Sequence, residues 1–136
     1  MQNLRILAIA GAGVLALAVP VGAQTHASPA PPFRAVSALV DLPDFIPGLG
    51  SLYVDPATLP AGPFLAYDRE GRLVSSVYMI PLVAMNGQQN FEGLAVGDGD
   101  VDHVDIQYNA GHPGVAEPHY HVTLWYVSPQ EAADLQ

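Results

Sequence analysis

The sequence has no cysteine and no lysine, and only four arginines stand against thirteen acidic residues. Without cysteine there is no disulfide framework, no thiolate metal site and no cysteine nucleophile. At a net charge of −9, nucleic acid is an unsuitable partner, because a phosphate backbone has to be met by clustered lysine and arginine. Charged residues make up 12% of the chain, yet 50% is hydrophobic and 8% aromatic, which supplies one small domain with a core. No serine sits in a G-x-S-x-G elbow, so a hydrolase triad has no support.

Arg5 precedes an apolar run from Ile6 to Val19, which Pro20 breaks, and Val21-Gly22-Ala23 then places small residues where a signal peptidase needs them. Residues 1–23 are therefore expected to be a signal peptide cleaved before Gln24, with a secreted or periplasmic location. The run is shorter than the roughly 20 apolar residues that cross a bilayer, so no stable membrane anchor is expected after cleavage. Residues 24–49 read as a proline-rich lead-in, because eight of the thirteen prolines fall between positions 24 and 63. Within it, Phe33 to Leu42 has the makings of one short helix or strand. Residues 50–136 form the expected domain.

From Phe64 onward the pattern is that of strands. Phe64 to Tyr67 and Leu73 to Leu82 flank the turn residues Asp68-Arg69-Glu70-Gly71 and predict a hairpin. Asn86-Gly87 marks another turn. Two further strands are expected over about Val101 to Tyr108 and His119 to Val127. Ser128-Pro129 with Glu131 is a helix-start signature: an N-cap serine, proline at the first helical position and glutamate at the third. The fold class is mostly β (α+β), a small antiparallel sheet or barrel-like domain with a short C-terminal helix.

Four of the five histidines, at 103, 112, 119 and 121, fall within nineteen residues; the fifth is His26. Side chains alternate faces along a strand, so His103, Asp105 and Gln107 share one side of the first strand and His119, His121 and Thr123 one side of the second. An antiparallel hairpin across Asn109 to Pro118 would bring these polar faces together, and Glu117 has the parity to join them. Neutral imidazoles with one or two carboxylates suit a divalent transition metal, and an H-x-H pair on a strand lets both rings reach one ion. His119 and His121 are the leading candidate ligands, with His103, Asp105, His112 and Glu117 for the remaining positions. Two other readings compete: histidines that only hydrogen-bond to Asp105, Gln107, Thr123 or each other, and a pH-responsive patch titrating near pH 6.5. Asp98, Asp100 and Asp102 match the first three ligand positions of an EF-hand, but His103 and Asn109 stand where its glycine and bidentate glutamate belong, which leaves a solvated acidic turn as the expectation, with a loose Ca²⁺ contact as the alternative. Tyr120, Trp125 and Tyr126 are candidates for the core or for a ligand pocket.

The run Asp102-His103-Val104-Asp105-Ile106-Gln107-Tyr108-Asn109, then Gly111-His112-Pro113-Gly114-Val115, then Pro118-His119-Tyr120-His121-Val122-Thr123-Leu124-Trp125 resembles the signature of the TTHB-type bacterial domain of unknown function. The likeness spans about residues 50–135. It implies a compact, mostly β domain with an appended helix, assembling as a homo-oligomer, with His103, His112 and His119 as its polar cluster. The family pattern tends to have an acid at the position of His121 and a histidine at that of Thr123, so its ligand set does not transfer whole. The H-x-H pair is also similar to the metal histidines of cupins, but the spacing around it and the downstream ligands of that family are not matched in order; the likeness is an analogy. The functional expectation is binding of one divalent transition metal or a small ligand through the histidine-rich face. The alternatives are a cupin-like metal-dependent enzyme and a non-catalytic oligomer-forming module with structural histidines.

Overall fold

The structure is a computed structural model and describes residues 28–136; the expected signal peptide and His26 lie outside the described residues. One six-stranded antiparallel sheet carries the fold, with strands β1 (Arg34–Ala35), β2 (Ser51–Val54), β3 (Phe64–Tyr67), β4 (Leu73–Pro81), β5 (His103–Asn109) and β6 (His119–Trp125). They lie in the order β1-β2-β3-β4-β6-β5, so the sheet is open and β6 is interior, paired to β4 on one side and to β5 on the other. Two one-turn helices complete it, α1 (Leu82–Asn86) and α2 (Pro129–Ala133), together with 3-10 turns at Val36–Ala38 and Pro56–Thr58. Among the described residues no helix is long and apolar enough to cross a membrane.

The expected β3–β4 hairpin forms with a register shift at Ala66/Tyr67, and the expected antiparallel pairing of the two histidine strands forms with His121 opposite Gln107. Helix α2 starts where its signature places it. Ser128 accepts from the Glu131 backbone and Glu131 reaches back to the Ser128 backbone, which satisfies amide donors a helix start otherwise leaves open. Helix α1 has no such cap and was not legible in the pattern. Nor was β2, whose four residues are too few to show a period.

One face of the sheet is covered by α2 and the segment around the first 3-10 turn; on the other, Leu65, Ser76, Tyr78 and Ile80 of the central strands are buried as well, and the Gly97 amide donates to Ser76 Oγ. Beneath α2, Ala66, Val74, Trp125 and Val127 pack with Ala132 and Leu135. Beneath the segment around the first 3-10 turn, Val54, Phe64, Val77 and Met79 pack with Val36, and Leu39, Val40 and Leu42 lie against them. The proline-rich segment thus supplies both an edge strand and part of the covering layer. Cross-strand partners share a face in an antiparallel sheet, so Met79, His121 and Gln107 form one row across β4, β6 and β5, and Pro81, His119 and Asn109 the next. The histidine pair therefore lies on the covered face. On the opposite face Val104, Ile106 and Tyr108 of the edge strand β5 are exposed.

Candidate metal centre

His119 and His121 are fixed by strand β6, two residues apart and hence on one face. His112 arrives from the β5–β6 connection by a tight turn, His112-Pro113-Gly114-Val115. Its ends exchange both backbone hydrogen bonds, at 2.8 and 2.9 Å. Proline presets the second position of such a turn, and the third needs positive φ. Gly114 supplies it, at φ +89°, and a Cβ there would stand 2.9 Å from Val40 Cγ1. Gly111 is equally constrained, since its φ is +127° and a Cβ would meet the Ala116 carbonyl oxygen at 2.6 Å. The run Gly111-His112-Pro113-Gly114 is therefore a backbone device that folds the His112 ring back over the β6 histidines. The ring centroids of His112, His119 and His121 lie 4.8 to 5.5 Å apart.

His119 is completely buried, and both of its ring nitrogens are engaged. Nδ1 lies 2.7 Å from the Glu117 carbonyl oxygen and Nε2 lies 2.9 Å from His121 Nε2. A carbonyl only accepts, so His119 Nδ1 carries the proton and Nε2 presents a lone pair. The same holds for His112, whose Nδ1 donates to the Pro113 carbonyl at 3.0 Å. An imidazole tethered through one N–H to a carbonyl, with its other nitrogen free, is how proteins orient metal-binding histidines. His121 is held neutral: burial first, then the neighbouring His119 and His112, push its pKa down to about 4. Each of the three rings offers a nitrogen within 4.8 Å of the others, so these three histidines could hold a metal ion.

The geometry is close to what an ion needs. Two nitrogens 2.9 Å apart suit neighbouring ligands about 2.0–2.1 Å from one centre. His112 offers its nitrogen within 4.8 Å of the other two, so closing it onto the same centre takes about one to two ångströms of movement, which a ring on a surface turn can supply.

The other three candidate ligands stand elsewhere. His103 pairs across the sheet with Trp125, four residues along β6 from His121, or about 13 Å at the strand rise. Its Nδ1 lies 2.9 Å from Asp102 Oδ1 and its ring stacks on Trp125. Asp105 shares the histidine face as its parity requires, but its Oδ2 accepts the Trp125 indole N–H at 2.9 Å. Glu117 joins through its backbone carbonyl only, with its side chain exposed. Alternation placed the four strand candidates on one face; the register, which alternation leaves open, set His103 and Asp105 apart from His119 and His121, and of the two candidates in the β5–β6 connection it is His112 that joins the pair.

Against this site lies an apolar cavity of about 360 Å³ between the sheet and its cover, lined among others by Val36, Leu39, Val40, Phe64, Met79 and His121. Tyr120, Trp125 and Tyr126 do not line it. Its roof comes from the proline-rich lead-in, within which Phe33 to Leu42 was expected to make one short helix or strand. The spacing of Val36, Leu39 and Val40, three and then one apart, was the available signal, since it puts three apolar side chains on one side of a helical turn.

Fold and site define an open antiparallel sheet domain with a three-histidine cluster on its covered face. A solved structure shares this architecture: that of a hypothetical protein, TTHB210, from Thermus thermophilus. It is 49% identical, covering 69% of this chain and 86% of that one, with a TM-score of 0.62. The chain belongs to the family of that protein, as the resemblance in its sequence implied. No family model matches the chain, and no curated protein does.

Proposed function

We propose that the protein binds one divalent transition metal through His112, His119 and His121. The observation that carries this is the facing of two imidazole nitrogens. His119 Nε2 is a lone pair because its Nδ1 proton is committed to Glu117, and His121 Nε2 stands 2.9 Å away. Two lone pairs do not face each other at that distance, so either a proton or a cation lies between them. A proton there makes a structural His–His hydrogen bond. A cation there also gives purpose to the turn that delivers the third imidazole. Three neutral nitrogens suit Zn²⁺, Ni²⁺, Cu²⁺ or Fe²⁺ over the oxygen-seeking Ca²⁺ and Mg²⁺. Three protein ligands also leave a coordination position open to a small molecule.

The test is elemental mass spectrometry of protein purified without a polyhistidine tag, beside a His119→Ala/His121→Ala variant. About one equivalent of one transition metal, absent from the variant, is expected. No metal at purification or after addition of Zn²⁺, Mn²⁺, Ni²⁺ or Cu²⁺ would reduce the cluster to a structural or pH-responsive face. Export from the cytoplasm belongs to the same proposal and rests on the pattern of residues 1–23.

A second reading, self-association, is favoured by the outer edge of the sheet. Strand β5 is seven residues long, lacks the proline and lysine that blunt natural edges, and exposes Val104, Ile106 and Tyr108. We propose that β5 pairs with β5 of a second copy. Ile106→Lys should shift the sedimentation coefficient toward the monomer while metal content stays constant; an unchanged coefficient would reject the pairing.

A further inference from the structure

We propose that the cavity beside the histidines binds an amphiphile, a straight-chain carboxylate of about ten carbons, with its tail among the aliphatic side chains and its head at the histidine cluster. This rests on the metal-binding reading above for the nature of the head-group contact. Among the described residues that line the cavity, apart from the Met79 thioether, the only side chains with polar atoms are His112 and His121. The two rings lie 5.5 Å apart, so the polar contact is confined to one place, and apart from Met79 and Gly114 the rest of the wall is valine, leucine, isoleucine, proline and phenylalanine. A ligand complementary to such a wall has one polar terminus and an otherwise hydrocarbon body, because a second polar group would be desolvated without a partner.

Volume sets the length. An apolar cavity of roughly 150 Å³ is enough for benzene, with its six carbons. In proportion, about 360 Å³ takes roughly fourteen non-hydrogen atoms, which leaves room for decanoate with its twelve. The head is a carboxylate for two reasons. Among the described residues the wall offers no acid to pair with a cationic head, and an ion on three neutral imidazoles would carry uncompensated positive charge next to the cavity. The protein as a whole is strongly acidic, at −9, so long-range attraction does not draw an anion in; the contact must come from the site itself.

The roof gives a way to fill the cavity without touching the ligands. Leu39 and Leu42 belong to the covering segment and are only partly buried against the core. Leu42→Trp should occupy tail space and leave the histidines in place; Leu39→Trp is the second variant in case the first does not fold, as judged by thermal unfolding. The full chain, loaded with Zn²⁺ and also stripped of metal, is titrated calorimetrically with decanoate and with methyl decanoate, and zinc content is measured in parallel.

The expected result is saturable decanoate binding to the zinc-loaded protein, at least tenfold weaker for the methyl ester and at least tenfold weaker in Leu42→Trp or Leu39→Trp, with zinc content unchanged in both. Zinc bound but no decanoate binding overturns the cavity proposal and leaves the metal reading standing. Decanoate binding that the tryptophan variants weaken, in a protein that takes no zinc, overturns the metal reading and supports the cavity with the imidazoles themselves as head-group donors. Decanoate binding that neither tryptophan variant weakens places the ligand elsewhere and overturns the proposal, and absence of both zinc and decanoate overturns both.

Discussion

Replacing His112 and His119 in turn by alanine separates ligation from structure, because both rings belong to the cluster and only one belongs to the packed interior. His119 is fully buried in an interior strand, and its loss leaves a void and an unpaired Glu117 carbonyl. Deleting a buried side chain of this size costs about 2–5 kcal/mol, and the orphaned carbonyl adds about 1. We take about 4 kcal/mol as the expected loss; at roughly 3–5 °C per kcal/mol for a domain of this size the melting temperature should fall by more than 10 °C. His112 sits on a surface turn, half-buried, and the one hydrogen bond of its ring is to the neighbouring proline carbonyl. Its removal should cost under about 1 kcal/mol in the metal-free protein.

Metal affinity should behave differently. A four-ligand structural zinc site is worth about 10–16 kcal/mol, or about 3 kcal/mol per ligand, so losing His112 should weaken binding roughly a hundredfold. The assays are thermal unfolding in excess chelator and zinc titration against a chromophoric competitor. His112→Ala should then be nearly native in stability and deficient in zinc binding. If His112→Ala binds zinc as the parent does, and His119→Ala loses zinc only where it has unfolded, the three rings do not form a metal centre.

Other consequences follow from the same geometry. Gly114→Val puts a β-branched residue at φ +89° and drives its Cβ toward Val40, so it should displace the His112 turn and weaken zinc binding at least tenfold while β6 stays folded, as read by zinc titration and circular dichroism. Asp105→Ala should leave zinc affinity within twofold of the parent but destabilise the fold by about 1–2 kcal/mol through the unpaired Trp125 indole, as measured by urea unfolding; a zinc defect would mean that Asp105 reaches the site after all. The metal-free protein should lose stability as the pH falls from 6.5 to 4. The unfolded chain takes up the His121 proton near pH 6.5 and the folded chain only near pH 4, so acid favours the unfolded state across that interval. His121→Gln should flatten that part of the stability–pH profile, and an unchanged slope would show that another group governs it.

Much of this molecule is local in its sequence, and some of it is not. The alternation around His103 and His119, the flanking turn residues of the β3–β4 hairpin and the Ser128-Pro129 helix start each depend on neighbours a few positions away, so strands, helix and histidine-bearing face could all be read directly. The Gly111-His112-Pro113-Gly114 run is local too, since proline and a positive-φ glycine make their turn in any surroundings. What tertiary structure decided was register and cover. Pairing Gln107 with His121 rather than His103 with His121 is set by side-chain packing along three strands, and it sent His103 and Asp105 to Trp125 instead of to the cluster. The insertion of β6 between β4 and β5 buried His119, and the folding of residues 36–42 across the sheet made the cavity. Both join segments distant in the chain, and long-range contacts of that kind leave no period for a sequence to display.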